Sequence, residues 1–239
     1  MAEAKTKKSK IKLDPEEMME AGLHFGHKTS KIHPKIKPYL YGVRNGIYIF
    51  DLEKTSEKLN EALDFINNLI SEGKTMVLIG TKVQIKSLVG ETGREINIPY
   101  INDRWLGGTI TNFGMIKKSI EHFKELEEKK KTGELAKYTK KERAEFDKKI
   151  ESLEMKFGGI KELTTIPDAI FVLDMKKDLS AVKEAKLKGI SVIGLADTNI
   201  DPSLADYPIP ANDDAITSVK YILEKLKEVV LRAKPKEKK

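Results

Sequence analysis

The sequence predicts an α/β domain of three layers, a parallel sheet with helices on both faces, carrying an inserted antiparallel coiled-coil helical hairpin. Three observations lead there. Continuous apolar runs at residues 75–79, 169–173 and 190–196 have the character of strands buried on both faces. Segments of helical period lie between and after them, and strand–helix–strand order implies right-handed crossovers in a parallel sheet. Residues 117–151 break the pattern, with 12 basic and 9 acidic side chains among 35.

Taken in order, Asp14-Pro15-Glu16-Glu17 marks a helix start. Asp14 caps, Pro15 suits the first helical position, and the acids face the positive end of the helix dipole. Gly22 ends that helix. Residues 23–38 contain Gly26, Pro34 and Pro38 without an apolar period and read as an irregular, ordered loop. Residues 39–50 read as a β-hairpin turning at Asn45-Gly46. Leu59, Ala62, Leu63, Ile66 and Leu69 then form one helical stripe, capped by Thr55 or Ser56 and ended by Gly73. After the strand at 75–79, a helix is expected over 83–88 and a short strand over 99–101. A helix over 179–187, stopped by Gly189, follows the strand at 169–173. A short Pro-flanked strand at 207–209 and a helix over 215–231, capped by Asn212 or Asp213, complete the α/β part.

Within the charged segment, Ile116, Ile120, Phe123 and Leu126 recur at spacings of four, three and three. After a turn at Lys131-Thr132-Gly133, Phe146, Ile150, Leu153 and Phe157 recur at four, three and four. Thr139 and Glu142 fit a capping box. A narrow apolar seam on two charged helices predicts a coiled coil that buries little of itself and projects. The expected division is an α/β domain from residues 13–113 and 158–231, a hairpin at 114–157, and basic tails at 1–12 and 232–239.

Composition bounds the chemistry. With no cysteine among 239 residues, disulfides, thiolate zinc sites and cysteine nucleophiles are excluded. No apolar run is long enough for a membrane span and no secretory h-region follows the Lys-rich start, so a soluble intracellular protein without a membrane partner is expected. The net charge of +7 is unevenly placed, each tail carrying +4 and the body −1. Within that body, residues 28–37 hold Lys28, Lys31, Lys35 and Lys37 and no acid, beside His24, His27 and His33. Such a loop suits phosphate contact.

Two classes compete. A phosphate- or metal-handling α/β enzyme would place its site beyond the carboxyl ends of the strands, at Gly80-Thr81-Lys82, Asp174 and Asp197-Thr198-Asn199. Asp174 and Asp197 would then hold a cation. Helix capping and turn formation explain the same residues, and neither P-loop nor GxGxxG spacing is present. His24, His27 and His33 with Asp197 are possible zinc ligands, but spacing alone assigns no metal. No catalytic residue and no cofactor are assigned. Arg104-Trp105-Leu106-Gly107-Gly108 holds the only tryptophan before a glycine pair. It is expected to anchor the hairpin's root through Trp105, Gly107 and Gly108.

Leu23-His24-Phe25-Gly26-His27, Pro34-Lys35-Ile36-Lys37-Pro38-Tyr39 and the block from Arg44 to Leu52 together resemble the bacterial type of the second small-subunit ribosomal protein family. Arg104-Trp105-Leu106-Gly107-Gly108, Pro167-Asp168-Ala169, Asp197-Thr198-Asn199 and Asn212-Asp213-Asp214-Ala215-Ile216 continue the match in order. The resemblance covers nearly all of residues 13–230 and leaves the tails outside. It implies a flavodoxin-like (Rossmann-like) sheet with a protruding hairpin, and a non-catalytic, late-assembling component seated between head and body of the small ribosomal subunit in the cytoplasm. The partners implied are small-subunit ribosomal RNA and other small-subunit proteins, including the large mRNA-binding first protein. Lys28, Lys31, His33, Lys35 and Lys37, with Arg44 and Arg104, are the expected RNA contacts. They would act on phosphate and shape, with His33 or Tyr39 stacking on an unpaired base. The segment between Gly80 and Pro99 and the C-terminal tail look ordinary or short for the family, so contacts of longer tails are not carried over.

Overall fold

The structure, a computed structural model, describes residues 13–233. The basic N-terminal tail and the C-terminal tail beyond Ala233 lie outside the described residues. Asp14 accepts the Glu16 N–H at 2.9 Å and opens α1 (Pro15–Glu20) as the capping chemistry requires. The supposed loop that follows is more regular than its sequence suggests. Residues Phe25–Lys28 form β1, and Pro34–Tyr39 form a short 3-10 helix. With β2 (Leu40–Arg44) and β3 (Ile47–Phe50), β1 completes an antiparallel sheet in the order β1-β3-β2. A hairpin was expected, and a third strand joins it. β1 is four residues long and mostly polar, so it carries no alternation of its own to read. The turn falls at Asn45 (φ 51°) and Gly46 (φ 74°), the left-handed pair that a tight hairpin needs.

Helix α2 (Leu52–Ser71) starts earlier than the expected cap at Thr55 or Ser56. Asp51 caps it by accepting the Glu53 N–H, while the buried Thr55 hydroxyl donates to the Pro210 carbonyl at 2.6 Å. The next units are β4 (Met76–Ile79), α3 (Lys86–Glu95) and β5 (Tyr100–Ile101). The helix expected over 83–88 thus begins and ends later. Gly90 and Gly93 lie inside α3 as packing residues: a Cβ on Gly93 would sit 2.4 Å from the Tyr100 ring. After α4 (Phe113–Lys131) and α5 (Lys140–Phe157) come β6 (Ala169–Val172), α6 (Leu179–Leu187), β7 (Ser191–Ala196), β8 (Tyr207–Pro210) and α7 (Ile216–Ala233). Thr139 and Glu142 form the expected capping box on α5. At the start of α7, Asn212 rather than Asp213 offers the side chain, accepting the N–H groups of Asp214 and Ala215.

The main sheet is parallel throughout, in the order β5-β4-β6-β7-β8. Counting its own strands, that is the 2-1-3-4-5 order of flavodoxin-like sheets, with the switch point between β4 and β6. Alternate residues feed two cores. Leu78, Phe171 and Ile193 pack under α2 and α7 with Leu59, Ile66 and Ile222. Val77, Ile170, Val172 and Val192 face Trp105, Val182 and Phe157 on the other side. That second core also contains Phe113, Ile116, Ile120 and the fully buried Phe123, so the first half of α4 is core. Leu126, one turn further, is buried as well, so the expectation that this helix buries little does not hold for α4 up to that residue. Its seam residues meet α5 and join the same apolar cluster as the sheet's second face, and periodicity alone does not say which surface fills a seam.

Candidate nucleic-acid interface

The acid-free loop leaves β1 at Lys28 and is tied down at each step. The Thr29 N–H donates to the Gly46 carbonyl, the Lys31 N–H to the Lys28 carbonyl, and the His33 N–H to the Thr198 carbonyl, at 3.0, 2.8 and 2.7 Å. His33 caps the 3-10 helix, its Nδ1 accepting the Lys35 N–H. Ile36 then plugs the second core and is fully buried. Lys28, Lys31, Lys35 and Lys37 remain exposed around that plug. Arg44 is brought to the same row: Lys28 and Arg44 both pair with Ile47, one on each side of the central strand. With strands about 5 Å apart, the backbones carrying the two cations lie about 10 Å from one another.

Lys35 meets an acid that its own segment lacks. Its Nζ lies 2.7 Å from Asp201 Oδ2 and 3.0 Å from Ser203 Oγ. The Lys35 ammonium and the Ser203 hydroxyl hold the Asp201 carboxyl well below its ordinary range. Arg104 is exposed on a different loop, between β5 and α4. Beside it Trp105 is buried to 8% exposure in the second core. Gly108 has φ 91°, which favours glycine, whereas nothing lies within 4 Å of a Cβ built on Gly107. The whole loop converges on Glu184 of α6. Its carboxylate accepts Trp105 Nε1–H, the Thr111 hydroxyl, and the N–H groups of Gly108, Ile110 and Thr111, at 2.8–3.1 Å. Burial pushes this carboxyl up, but those donors outweigh it and hold it below its ordinary value. Glu184 escaped the sequence reading because nothing local distinguishes it from a surface helix glutamate.

At the switch point, where a sheet of this topology would receive a ligand, the chain uses its own side chains. Lys82 Nζ lies 2.9 Å from Asp174 Oδ2 and 2.7 Å from an oxygen of each of Asp213 and Asp214. Burial works against the ammonium, yet these carboxylates raise its pKa far above the usual range. Burial first, then the charges of Asp174 and Asp197, push the Asp213 carboxyl up to about 7 against the pull of Lys82. Beneath, the buried Asp178 accepts the Thr81 hydroxyl at 2.8 Å. Capping and turns were expected to account for Asp174 and Asp197. Asp174 does accept the Lys177 N–H, but both aspartates are also buried members of ion pairs.

The expected histidine set separates. His24 lies tilted against the Phe25 ring with its Nδ1 buried, its pKa lowered by burial, and His33 is a helix cap. Only His27 reaches acids, Asp197 Oδ1 at 3.0 Å and Asp214 Oδ2 at 3.4 Å. The hydrogen bond to Asp197 raises its pKa despite partial burial. One donor atom from each of His27, Asp197 and Asp214 lies within 4.8 Å of the others, a spacing that accepts a cation as well as an ion pair. No described helix is long and apolar enough to cross a membrane.

Residues 18–233 match the family described as Ribosomal protein S2. A small ribosomal subunit protein uS2 of Coprothermobacter proteolyticus is 43% identical over 218 residues, covering 91% of this chain and 81% of that protein. The protein of the same name from Nitratiruptor sp. is 42% identical over 218 residues, covering 91% of this chain and 82% of its own length. A match spanning both sheets, the basic loop and the α4–α5 segment leaves one conclusion: the chain belongs to the ribosomal protein S2 family.

Proposed function

We propose that this chain is a structural constituent of the small ribosomal subunit that binds ribosomal RNA and neighbouring ribosomal proteins during translation, on cytoplasmic ribosomes. The family is not enzymatic, and the switch-point crevice supports the same reading because Lys82 and three aspartates fill it. The observation that carries the RNA contact is the exposed set of Lys28, Lys31, Lys35 and Lys37 on a segment pinned by Ile36, with the exposed Arg44 beside it at the end of β2. Contacts of this kind neutralise phosphate, release counterions and read shape rather than sequence. His33 serves the loop as a cap, and Arg104 adds a second cationic point on the loop that Trp105 and Gly108 anchor to Glu184.

The α4–α5 segment is best described as an antiparallel coiled-coil hairpin whose distal part projects from the α/β domain. Helix α5 supports this, with Phe146, Ile150 and Leu153 only half-buried. Among the neighbouring proteins, we infer that the large mRNA-binding first protein of the subunit docks on the antiparallel sheet. A groove of about 1000 Å³ runs along the antiparallel sheet, lined by Met19, Phe25, Tyr41 and Val43, with Tyr41 83% exposed. The test replaces Lys28, Lys31, Lys35 and Lys37 with Gln and follows sedimentation with small subunits across a salt series. Weaker incorporation with a flatter salt dependence is expected. Unchanged incorporation removes this loop from the interface.

A further inference from the structure

The basic loop owes its shape to a segment that lies 171 residues away in sequence. Thr198, at the carboxyl end of β7, is fully buried beneath it. Its Oγ1 accepts the His27 N–H at 3.1 Å and donates to Asp197 Oδ1 at 3.1 Å. Its carbonyl accepts the His33 N–H at 2.7 Å. Its methyl fills the space over Gly26, where a Cβ would come within 2.5 Å of it. Neighbours extend the template: Asp197 and Asn199 hold the His27 ring, and Asp201 and Ser203 hold Lys35. Residues 26, 27, 33 and 35 are therefore all registered against residues 197–203.

We propose that Thr198 is the positioning residue of the RNA-contacting loop, presetting the conformation in which its lysines meet phosphates while touching no RNA itself. The inference rests on the reading of Lys28, Lys31, Lys35 and Lys37 as RNA contacts. An irregular loop ordered before binding does not lose that conformational freedom when phosphates engage, so affinity depends on what orders it. Buried as it is, Thr198 acts only through the backbone of residues 26–33.

The test compares wild type, Thr198→Val, Thr198→Ser and the quadruple Lys→Gln variant. It measures filter binding to small-subunit ribosomal RNA over a KCl series, amide hydrogen exchange of residues 27–37 in the free protein, and thermal melting. Valine keeps the methyl and removes the hydroxyl, so RNA affinity should fall about tenfold, as for a lost buried hydrogen bond. The His27 amide, which loses its acceptor, should exchange faster while the core stays folded. Serine should restore affinity and protection to within about twofold of wild type. If Thr198→Val fails to fold, Thr198→Ala replaces it beside Thr198→Ser: both lack the methyl and only serine keeps the hydroxyl, so the same loss is expected of alanine and not of serine. Binding within twofold of wild type despite faster loop exchange, or no rescue by serine, overturns the positioning role. If the lysine variant binds like wild type, the reading beneath it has failed instead, and the proposal falls with it.

Discussion

Glu184→Ala should loosen the whole loop between β5 and α4. In the structure one carboxylate receives five hydrogen bonds, from Trp105 Nε1, the Gly108, Ile110 and Thr111 amides and the Thr111 hydroxyl. Hydrogen bonds to a charged group contribute about 1.5–3 kcal/mol each when isolated. The donors share one acceptor group and the carboxylate is half-exposed, so water replaces part of what is lost. With that discount the alanine variant should lose about 3 kcal/mol and Glu184→Gln, which keeps one oxygen, about 1–2 kcal/mol. For a chain of this size the larger loss lowers Tm by about 6–12 °C. Trp105 is the single tryptophan, so its fluorescence reports this loop alone. In urea, its transition should precede the loss of helical circular dichroism in Glu184→Ala and coincide with it in wild type. Coincident transitions with an unchanged midpoint would show that the second core, and not Glu184, holds the loop.

Deleting residues 117–156 removes Ile120 and Phe123 from the second core, so that cut should prevent stable folding, at about 2–5 kcal/mol for each large side chain lost. Replacing only residues 128–148 by a short Gly-Ser link should leave the melting curve cooperative while weakening subunit binding; an unfolded product would mean that the distal hairpin is core. At the switch point, Lys82→Ala leaves three carboxylates around a buried gap and should cost about 3–5 kcal/mol, measured by urea unfolding. Asp174→Asn should cost much less, because Asp213 still pairs with Lys82 and loses a repelling neighbour; equal costs would refute the shared-cation description. Stability in EDTA should fall as pH rises from 5 to 8. The Asp213 carboxyl, raised from 3.8 to about 7, binds its proton more tightly folded than unfolded across that window. His27, also raised, contributes stability below 6.5 that is lost as pH passes its folded value. Glu184 and Asp214, both lowered, act oppositely and remove stability only in acid. A urea midpoint that climbs between pH 5 and 8 would contradict this balance.

Local sequence was enough to place the main sheet, most helix starts and the basic character of residues 28–37. Each of those rests on neighbours in the chain: apolar runs such as residues 169–173, caps such as Asp14, and a run of lysines without an acid. The misplaced helix boundaries differ by a few residues: α2 was expected from a cap at Thr55 or Ser56 and starts at Leu52, and α3 was expected over 83–88 and runs over Lys86–Glu95. Tertiary structure alone decided what the polar side chains do. Lys82 meets Asp213 across 131 residues, Trp105 meets Glu184 across 79, and His27 meets Thr198 across 171. β1, too short to show a period, became a strand because β3 offered it an edge, and the first half of α4 became core because its apolar residues join the cluster on the sheet's second face. Backbone geometry repeats every two or 3.6 residues and is therefore written along the chain. An ion pair or a buried hydroxyl depends on where the crossovers bring distant strand ends together, and no periodicity records that meeting.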